Sequence, residues 1–187
     1  MAEGKLISFW SGAPCAGRQT LAKSLAQCWA DEGRDVLLIQ MGEGSTLQDP
    51  TDWVPRFWSL SPVLLRNFLA GPRGSYGCLS FLKTPDAVLW KEVLDLTLPA
   101  YAWTIVLGPQ ELSPDAVPIL DASDLLLWVS QRNDDASRLF QGFLDRLTKF
   151  HIPHAYIHTV LTWASGPSTD LPEIVPGKRV IVLAQRR

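Results

Sequence analysis

Ten residues near the start of the chain have the spacing of an anion-binding loop. Positions 11 to 20 read SGAPCAGRQT, and Gly12 and Gly17 match the glycines of the pattern G-x-x-x-x-G-K-[ST]. Such a loop wraps a phosphate with backbone N–H groups at a helix N-terminus, while its lysine and hydroxyl hold the outer phosphates and Mg²⁺. The candidate nucleotide-binding segment is Gly12, Ala13, Pro14, Cys15, Ala16, Gly17, Arg18, Gln19 and Thr20.

The side chains of this segment are poorly suited to nucleotide chemistry. Pro14 has no N–H to donate, and Cys15 and Ala16 carry Cβ atoms where close approach favours glycine. Arg18 is a planar fork where a compact ammonium is expected, and Gln19 offers an amide where a short hydroxyl would hold Mg²⁺. The sequence therefore predicts a nucleotide site that is degraded, with weak binding of ATP or another nucleotide left open.

Alternating apolar and amphipathic runs predict the elements that position this loop. Continuous apolar runs predict strands, and runs with apolar residues at helical spacing predict helices. The predicted strands are 5–10, 35–41, 76–83, 102–108, 124–130, 154–163 and 177–185, and the predicted helices are 19–32, 61–71, 86–98, 113–123 (weakened by Pro118) and 134–150. Residues 42–59 are expected to form a loop. This order predicts a doubly wound α/β fold, with a mostly parallel sheet covered by helices on both faces, in a single domain over 1–187.

The composition of the chain argues against a nucleic-acid-binding, disulfide-rich or membrane-spanning protein. The chain has 187 residues, 47% of them hydrophobic, and a formal net charge of −2, so no basic patch for nucleic acid is evident. Its three cysteines, an odd number, favour a reducing cytoplasm over a disulfide framework. No run approaches the ~18 apolar residues of a membrane span. We therefore expect a cytoplasmic protein with no integral membrane segment.

Residues 5–41 resemble the start of the MinD/ParA family of deviant phosphate-loop ATPases. That family begins with a strand, then S-G-K-G-G-V-G-K-T-T-L-A, a helix, and a strand V-L-L-I-D-x-D. This chain has SGAPCAGRQTLAKSLA and then RDVLLIQMGEG. The order of elements remains similar through residue 163, with AYAWTIVLGP and ASDLLLWVSQRNDDASRLFQGFLDRL in matching places. The order also resembles the pilus-positioning TadZ/CpaE branch.

The resemblance identifies which catalytic positions differ. Ala13 stands where the family has its signature lysine, and Arg18 where it has the phosphate-loop lysine. Gln40 and Gly42 replace the two acidic residues after the second strand. Leu107 replaces the aspartate that orders Mg²⁺ and water. The chain thus lacks the carboxylates that such an ATPase uses to hold its metal.

Three further positions complete the comparison with the family. Thr162 or Trp163 falls where the family has an asparagine that contacts the base, and Glu43 and Glu111 lie near the strand ends that would need a carboxylate. We interpret both glutamates as solvated loop residues, with metal binding as the alternative.

Other reactive side chains of the sequence give weaker indications of a functional site. His151, His154 and His158 have the spacing H-x-x-H-x-x-x-H, which permits a metal site, but we interpret them as turn and strand-edge residues. Cys15 lies at a helix N-terminus, where thiol pKa values fall, but no histidine stands in a recognisable partner position. Neither motif predicts catalysis, and no metal site is assigned.

Residues 51–72, TDWVPRFWSLSPVLLRNFLAGP, have the composition of a protein interface. Aromatic side chains alternate with arginine there, as in binding hot spots. The candidate partner-binding residues are Trp53, Arg56, Phe57, Trp58 and Phe68. The alternative is that these side chains cap the sheet within one chain.

Three functions follow from the resemblance. The first is a MinD/ParA-like pseudo-ATPase that acts through a protein partner or a homodimer in positioning or assembling a cellular machine. The second is a divergent but active ATPase of the same family. The third is a nucleotide-independent scaffold subunit of a pilus or secretion complex. The sequence leaves open whether the chain is an enzyme.

Overall fold

The computed structural model describes residues 4–12, 17–41, 47–48, 54, 57, 60–70, 75–109, 111–131, 136–153, 157–164 and 180–184. These residues contain one sheet of eight strands in the spatial order β3-β4-β2-β5-β1-β6-β7-β8. The strands are β1 (Lys5–Trp10), β2 (Val36–Met41), β3 (Leu47–Gln48), β4 (Gly77–Phe81), β5 (Trp103–Leu107), β6 (Leu125–Gln131), β7 (Ile157–Ala164) and β8 (Val180–Ala184).

Every strand pair in this sheet is parallel. The strands predicted at 5–10, 35–41, 102–108 and 124–130 form β1, β2, β5 and β6, which are neighbours at the centre of the sheet. Along β1, Phe9 pairs with Leu107 on one side and with Leu127 on the other. The predicted parallel arrangement is therefore confirmed, and all strands end at the same edge, here called the carboxyl edge.

Within the described ranges, five α-helices with defined bounds lie between the strands. They are α1 (Arg18–Asp31), α2 (Pro62–Leu69), α3 (Ala87–Thr97), α4 (Val117–Ala122) and α5 (Ala136–Lys149), with a 3₁₀ turn at Pro114–Ala116. Pro118 lies in the first turn of α4, where its missing N–H costs no helical hydrogen bond, so it helps to begin this helix and does not weaken it.

The helices cover both faces of the sheet, as predicted. Buried Ala22 and Ala26 of α1 pack with apolar side chains of the central strands in one cluster. The other four helices contribute to a larger cluster on the opposite face, which includes Leu65, Trp90 and Phe140. Burial on both faces explains why the central strands read as continuous apolar runs.

The predicted loop 42–59 contains more structure than expected. Leu47–Gln48 form the short strand β3 beside β4, and Val54 and Phe57 are helical and buried. Helix α2 ends at Leu69, and the predicted closure at Gly71 lies outside the described residues. The assignment of 1–187 to one domain stays a prediction.

Candidate functional site

The candidate nucleotide-binding segment lies at the carboxyl edge, between β1 and α1. Of this segment the structure describes Gly12, and then Gly17, Arg18, Gln19 and Thr20. Residues 13–16, which include the predicted site residues Ala13, Pro14, Cys15 and Ala16, lie outside the described residues. In open parallel sheets this edge is where ligands bind.

Gly17 caps α1 in the left-handed conformation, with φ 79° and ψ 5°. A Cβ atom is strained there, so this position requires glycine. The carbonyl of Gly17 accepts the first helical hydrogen bond, from the N–H of Leu21 at 2.9 Å. The strand before a phosphate loop and the glycine-capped helix after it are therefore both present.

The side chain of Arg18 binds to protein backbone. Its Nη1 donates a 2.8 Å hydrogen bond to the carbonyl oxygen of Gly108, just beyond the end of β5. Burial lowers the pKa of the Arg18 guanidinium. A cation held in this way joins the first turn of α1 to β5, whereas the phosphate-loop lysine that it replaces would serve phosphate.

Gly108 is packed too closely for any larger residue. Its N–H donates to the carbonyl of Phe9 at 3.0 Å, and a Cβ on Gly108 would lie 2.8 Å from the indole ring of Trp10. The ring of Trp10 is fixed in turn by a 2.9 Å hydrogen bond from its Nε1 to the Oγ of Ser8. The chain beyond β5 is thus held against β1 beside the candidate segment.

Aromatic side chains support Gly12 from the other side. A Cβ on Gly12 would lie 2.8 Å from the Cβ of Leu139 and 3.1 Å from the ring of Trp128. The ring centroids of Trp128 and Phe143 are 4.7 Å apart. The packing of Trp128 against α5, which carries Phe143, has no local sequence signal.

The strand ends that flank the segment hold no carboxylate in the described part of the chain. Gln40, near the end of β2, is buried, and its Nε2 donates to the Oγ of Ser80 at 3.0 Å. Leu107, the last residue of β5, is 5% exposed and belongs to the apolar cluster beneath α1. Glu111 is exposed, while Gly42 and Glu43 lie outside the described residues.

No group of three or more His, Cys, Asp or Glu side chains that could hold a metal occurs among the described residues. His151 is exposed in a turn with φ 58°, and His158 is half-buried on β7. His154 lies outside the described residues, so the predicted histidine motif is only partly placed. Thr162 and Trp163 fall on β7, as predicted.

Helix α2 carries the described part of the candidate partner-binding segment. Val63, Leu64 and Phe68, here called the α2 patch, are each more than half exposed. Phe57 is buried and packs beneath this patch, with its ring centroid 4.5 Å from that of Phe68. Phe57 therefore supports the patch and does not form its surface. Trp53, Arg56 and Trp58 lie outside the described residues.

Together the parallel sheet and the glycine-capped turn after β1 define an α/β fold of the phosphate-loop NTPase type. No family model and no curated protein matches the sequence. Solved structures do match. A ParA family ATPase from Chlorobium tepidum has a TM-score of 0.81 at 19% identity, with 98% of this chain and 85% of that chain covered.

Two further structures give the same result. A putative plasmid partition protein from Borrelia burgdorferi, bound to AMPPNP, has a TM-score of 0.71 at 17% identity, with 98% and 86% of the two chains covered. The MinC:MinD cell division complex of Aquifex aeolicus has a TM-score of 0.72 at 16% identity, with 98% and 82% covered. The chain therefore has the fold of the ParA and MinD ATPases, as the sequence resemblance predicts.

Across the described ranges, no helix is both long and apolar enough to cross a membrane.

Proposed function

We propose that this chain is a MinD/ParA-like pseudo-ATPase with a degraded nucleotide site, which acts through protein–protein interaction in positioning or assembling a cellular machine. The observation that carries the proposal is the side chain at the end of β5. Leu107 is buried in an apolar cluster at the position where the resembled family has an aspartate. An apolar side chain there neither ligates Mg²⁺ nor orients water, so phosphoryl transfer loses its metal.

Gln40 supports the same conclusion at the neighbouring strand. Its amide is buried and bonded to Ser80 within the sheet, so it is committed to structure. A neutral amide also supplies less charge than the carboxylate that it replaces. Both described strand-end positions where the resembled family has a carboxylate are thus occupied by neutral side chains.

Arg18 supports a site in which nucleotide binding is weak. Its hydrogen bond to Gly108 satisfies one edge of the guanidinium within the protein, so binding a phosphate with that edge would first break a 2.8 Å hydrogen bond. Hydrogen bonds to charged groups contribute about 1.5–3 kcal/mol each. We therefore propose that ATP or another nucleotide binds only weakly at this site.

The α2 patch supports a role in protein contact. Three large apolar side chains of one short helix are exposed together, and exposed apolar groups of this kind mark interaction sites. The MinC:MinD complex shows that a protein with this fold assembles with a protein partner. We propose that residues 51–72 bind a protein partner or a second copy of the chain.

We also place the protein in the cytoplasm. Cys28 and Cys78 are free thiols at the surface, which suits a reducing compartment. A position near the TadZ/CpaE pilus-positioning branch remains part of the proposal and rests on element order alone.

Calorimetric titration with ATP, with and without Mg²⁺, combined with a phosphate-release assay, separates the three functions. Binding without turnover supports the pseudo-ATPase. Binding with Mg²⁺-dependent turnover supports the divergent ATPase, for which Glu43 and Glu111 are the candidate metal ligands. No binding supports the nucleotide-independent scaffold. The matched control is Gly17→Val, which strains the left-handed cap and should abolish any binding that uses this segment.

A further inference from the structure

An open cleft lies beside the α2 patch. It has a volume of about 250 Å³, and Val63 and Asn67, one turn apart on α2, are among the residues that line it. Val63 thus belongs both to the α2 patch and to the lining of the cleft, so the two features form one continuous surface. Asp35, just before β2, and Gly77, the first residue of β4, also line the cleft. Because all strands are parallel, the cleft lies at the opposite edge of the sheet from the candidate nucleotide-binding segment.

Phe68 projects from the same helix as a large apolar side chain. It is 58% exposed, although its ring also packs on Phe57, with ring centroids 4.5 Å apart. Leu64 precedes it by one turn and is also more than half exposed, so the two side chains form an apolar ridge along α2. This ridge runs next to the row of Val63 and Asn67 that borders the cleft. One short helix therefore presents an apolar ridge with a cleft beside it.

The cleft has room for a phenyl ring. An apolar cavity of about 150 Å³ in another protein holds benzene, and this cleft is larger. Val36, Ala70 and Tyr101 supply apolar side-chain atoms to its lining. Arg66 also lines it, and a guanidinium that is ion-paired through its N–H groups can still stack its planar face on an aromatic ring. A phenylalanine side chain is therefore a suitable occupant.

The charged groups around the cleft balance one another. Arg66 is ion-paired with Asp35, and both side chains are partly exposed. Arg34 is ion-paired with Glu32 at 2.9 Å and is also partly exposed. Two arginines and two carboxylates leave no net charge that would select an acidic or a basic partner. A second copy of the chain carries the same alternation, so it can offer a carboxylate to each arginine without adding net charge.

We propose that this face forms a homodimer in which Phe68 of each copy enters the cleft of the other. One surface supplies both the ridge and the cleft, so a two-fold axis satisfies both copies at once. The inference rests on the proposed role of residues 51–72 in protein contact and narrows it to a second copy of the chain. It uses no residue of the degraded nucleotide site.

The contact is small, so the dimer is expected to be weak. Helix α2 has eight residues and is about 12 Å long. A surface built on one such helix and a cleft falls short of the roughly 1,200 Å² that stable complexes bury. Sedimentation velocity of the full chain, over a concentration series that spans a dissociation constant of about 10–100 µM, should show a reversible monomer–dimer equilibrium. A chain that stays monomeric throughout this series would overturn the homodimer.

Two variants remove the two halves of the contact. Phe68→Ala deletes the ring and keeps the cleft, whereas Ala70→Phe fills the cleft and keeps the ridge. Ala70 is exposed and lines the cleft, so a larger side chain there requires no change in the core. Each variant should weaken dimerisation about tenfold or more. Val88→Ala and Val88→Phe, at an exposed position on α3, are the matched controls and should leave dimerisation unchanged.

A mixture of the two variants tests the exchange itself. Phe68→Ala supplies open clefts and Ala70→Phe supplies the rings, so the mixed dimer regains one of the two ring-in-cleft contacts. At equal total concentration the mixture should associate more strongly than either variant alone, with the Tm of each variant measured to verify folding. A mixture no stronger than its components, or dimerisation that resists both substitutions, would overturn the proposal. The ATP titration does not involve this face, so it judges the pseudo-ATPase separately.

Discussion

The Nη1 atom of Arg18 donates a 2.8 Å hydrogen bond to the carbonyl oxygen of Gly108, which joins the first turn of α1 to the chain that leaves β5. The N–H of the same glycine is bonded to Phe9 of β1 at 3.0 Å. Gly108 therefore connects three elements at the carboxyl edge through its two backbone groups. Arg18 stands where the resembled family has a phosphate-binding lysine. Its hydrogen bond to Gly108 gives this arginine a structural role at the carboxyl edge.

Gly108→Ala should destabilise the protein by about 1–3 kcal/mol, because the new Cβ would lie 2.8 Å from the ring of buried Trp10. Chemical denaturation measures this change in the free energy of unfolding. Gly142→Ala is the control: no atom lies within 4 Å of its added Cβ, and it lies inside α5. Alanine there should stabilise by about 0.5–1 kcal/mol. Equal effects of the two substitutions would contradict the packing described around Gly108.

Restoring the loop residues should restore binding without activity. Pro14→Gly, Arg18→Lys and Gln19→Thr together return a backbone donor, a compact cation and a hydroxyl, so ATP affinity should rise about tenfold or more. Hydrolysis should stay negligible, because Gln40 and Leu107 still leave the metal unheld. Each missing positioning group costs about 100-fold in rate. Brisk Mg²⁺-dependent hydrolysis by this triple variant would reveal a metal ligand elsewhere, with Glu43 and Glu111 tested first.

Stability should fall at alkaline pH through Tyr101. Burial raises its pKa from 10.0 to about 12, so the folded state favours the neutral hydroxyl. The resulting stabilisation is complete below about pH 10 and is lost as the pH rises through about 12, where the folded state also ionises. The size of this stabilisation is up to about 2 kcal/mol after allowance for screening by solvent.

Denaturation of the wild type and Tyr101→Phe between pH 8 and pH 12.5 measures this term (about two units on either side of the unfolded pKa). Lysine titration is common to both proteins, so the difference between them isolates Tyr101. The wild type should lose more stability than the variant over this interval. Parallel curves would show that the Tyr101 hydroxyl is solvated.

The α2 patch should control association. Leu64 is 53% exposed, so Leu64→Glu should leave Tm unchanged while it weakens binding to a second copy or to a protein partner by about tenfold or more. Val88→Glu introduces the same charge at a side chain that is 68% exposed on α3. Sedimentation velocity across a concentration series, with and without the partner, measures both. Association that resists Leu64→Glu as well as Val88→Glu would exclude the α2 patch as the interface.

Much of the fold could be predicted, because the local pattern of apolar residues indicates where the strands and helices lie. Strands buried on both faces are continuous apolar runs, so β1, β2, β5 and β6 were recognisable, and their parallel order follows from the helices between them. The two-residue strand β3 was missed, since two residues carry no periodicity. Pro118 was misread because a proline at a helix start and one inside a helix look alike when the boundary is unknown.

The candidate site could be predicted only in outline. The spacing of Gly12 and Gly17 located the candidate segment, whereas the left-handed conformation of Gly17 became evident only from the structure. The acceptor of Arg18 is 90 positions away in sequence, and Gly12 packs against Leu139 of α5. Such contacts depend on how the sheet brings distant segments together, which no local pattern encodes.

The central claim, that this site does not turn over ATP, is tested most directly by single-turnover hydrolysis. Protein in excess is incubated with γ-labelled ATP and Mg²⁺, and phosphate release is compared with the same reaction in EDTA. Arg18→Ala and Gly17→Val serve as controls that identify contaminating ATPase. We predict release at the rate of buffer alone for the wild type. Mg²⁺-dependent release that is lost in both variants would contradict the account, because it would show a working metal site beside Leu107.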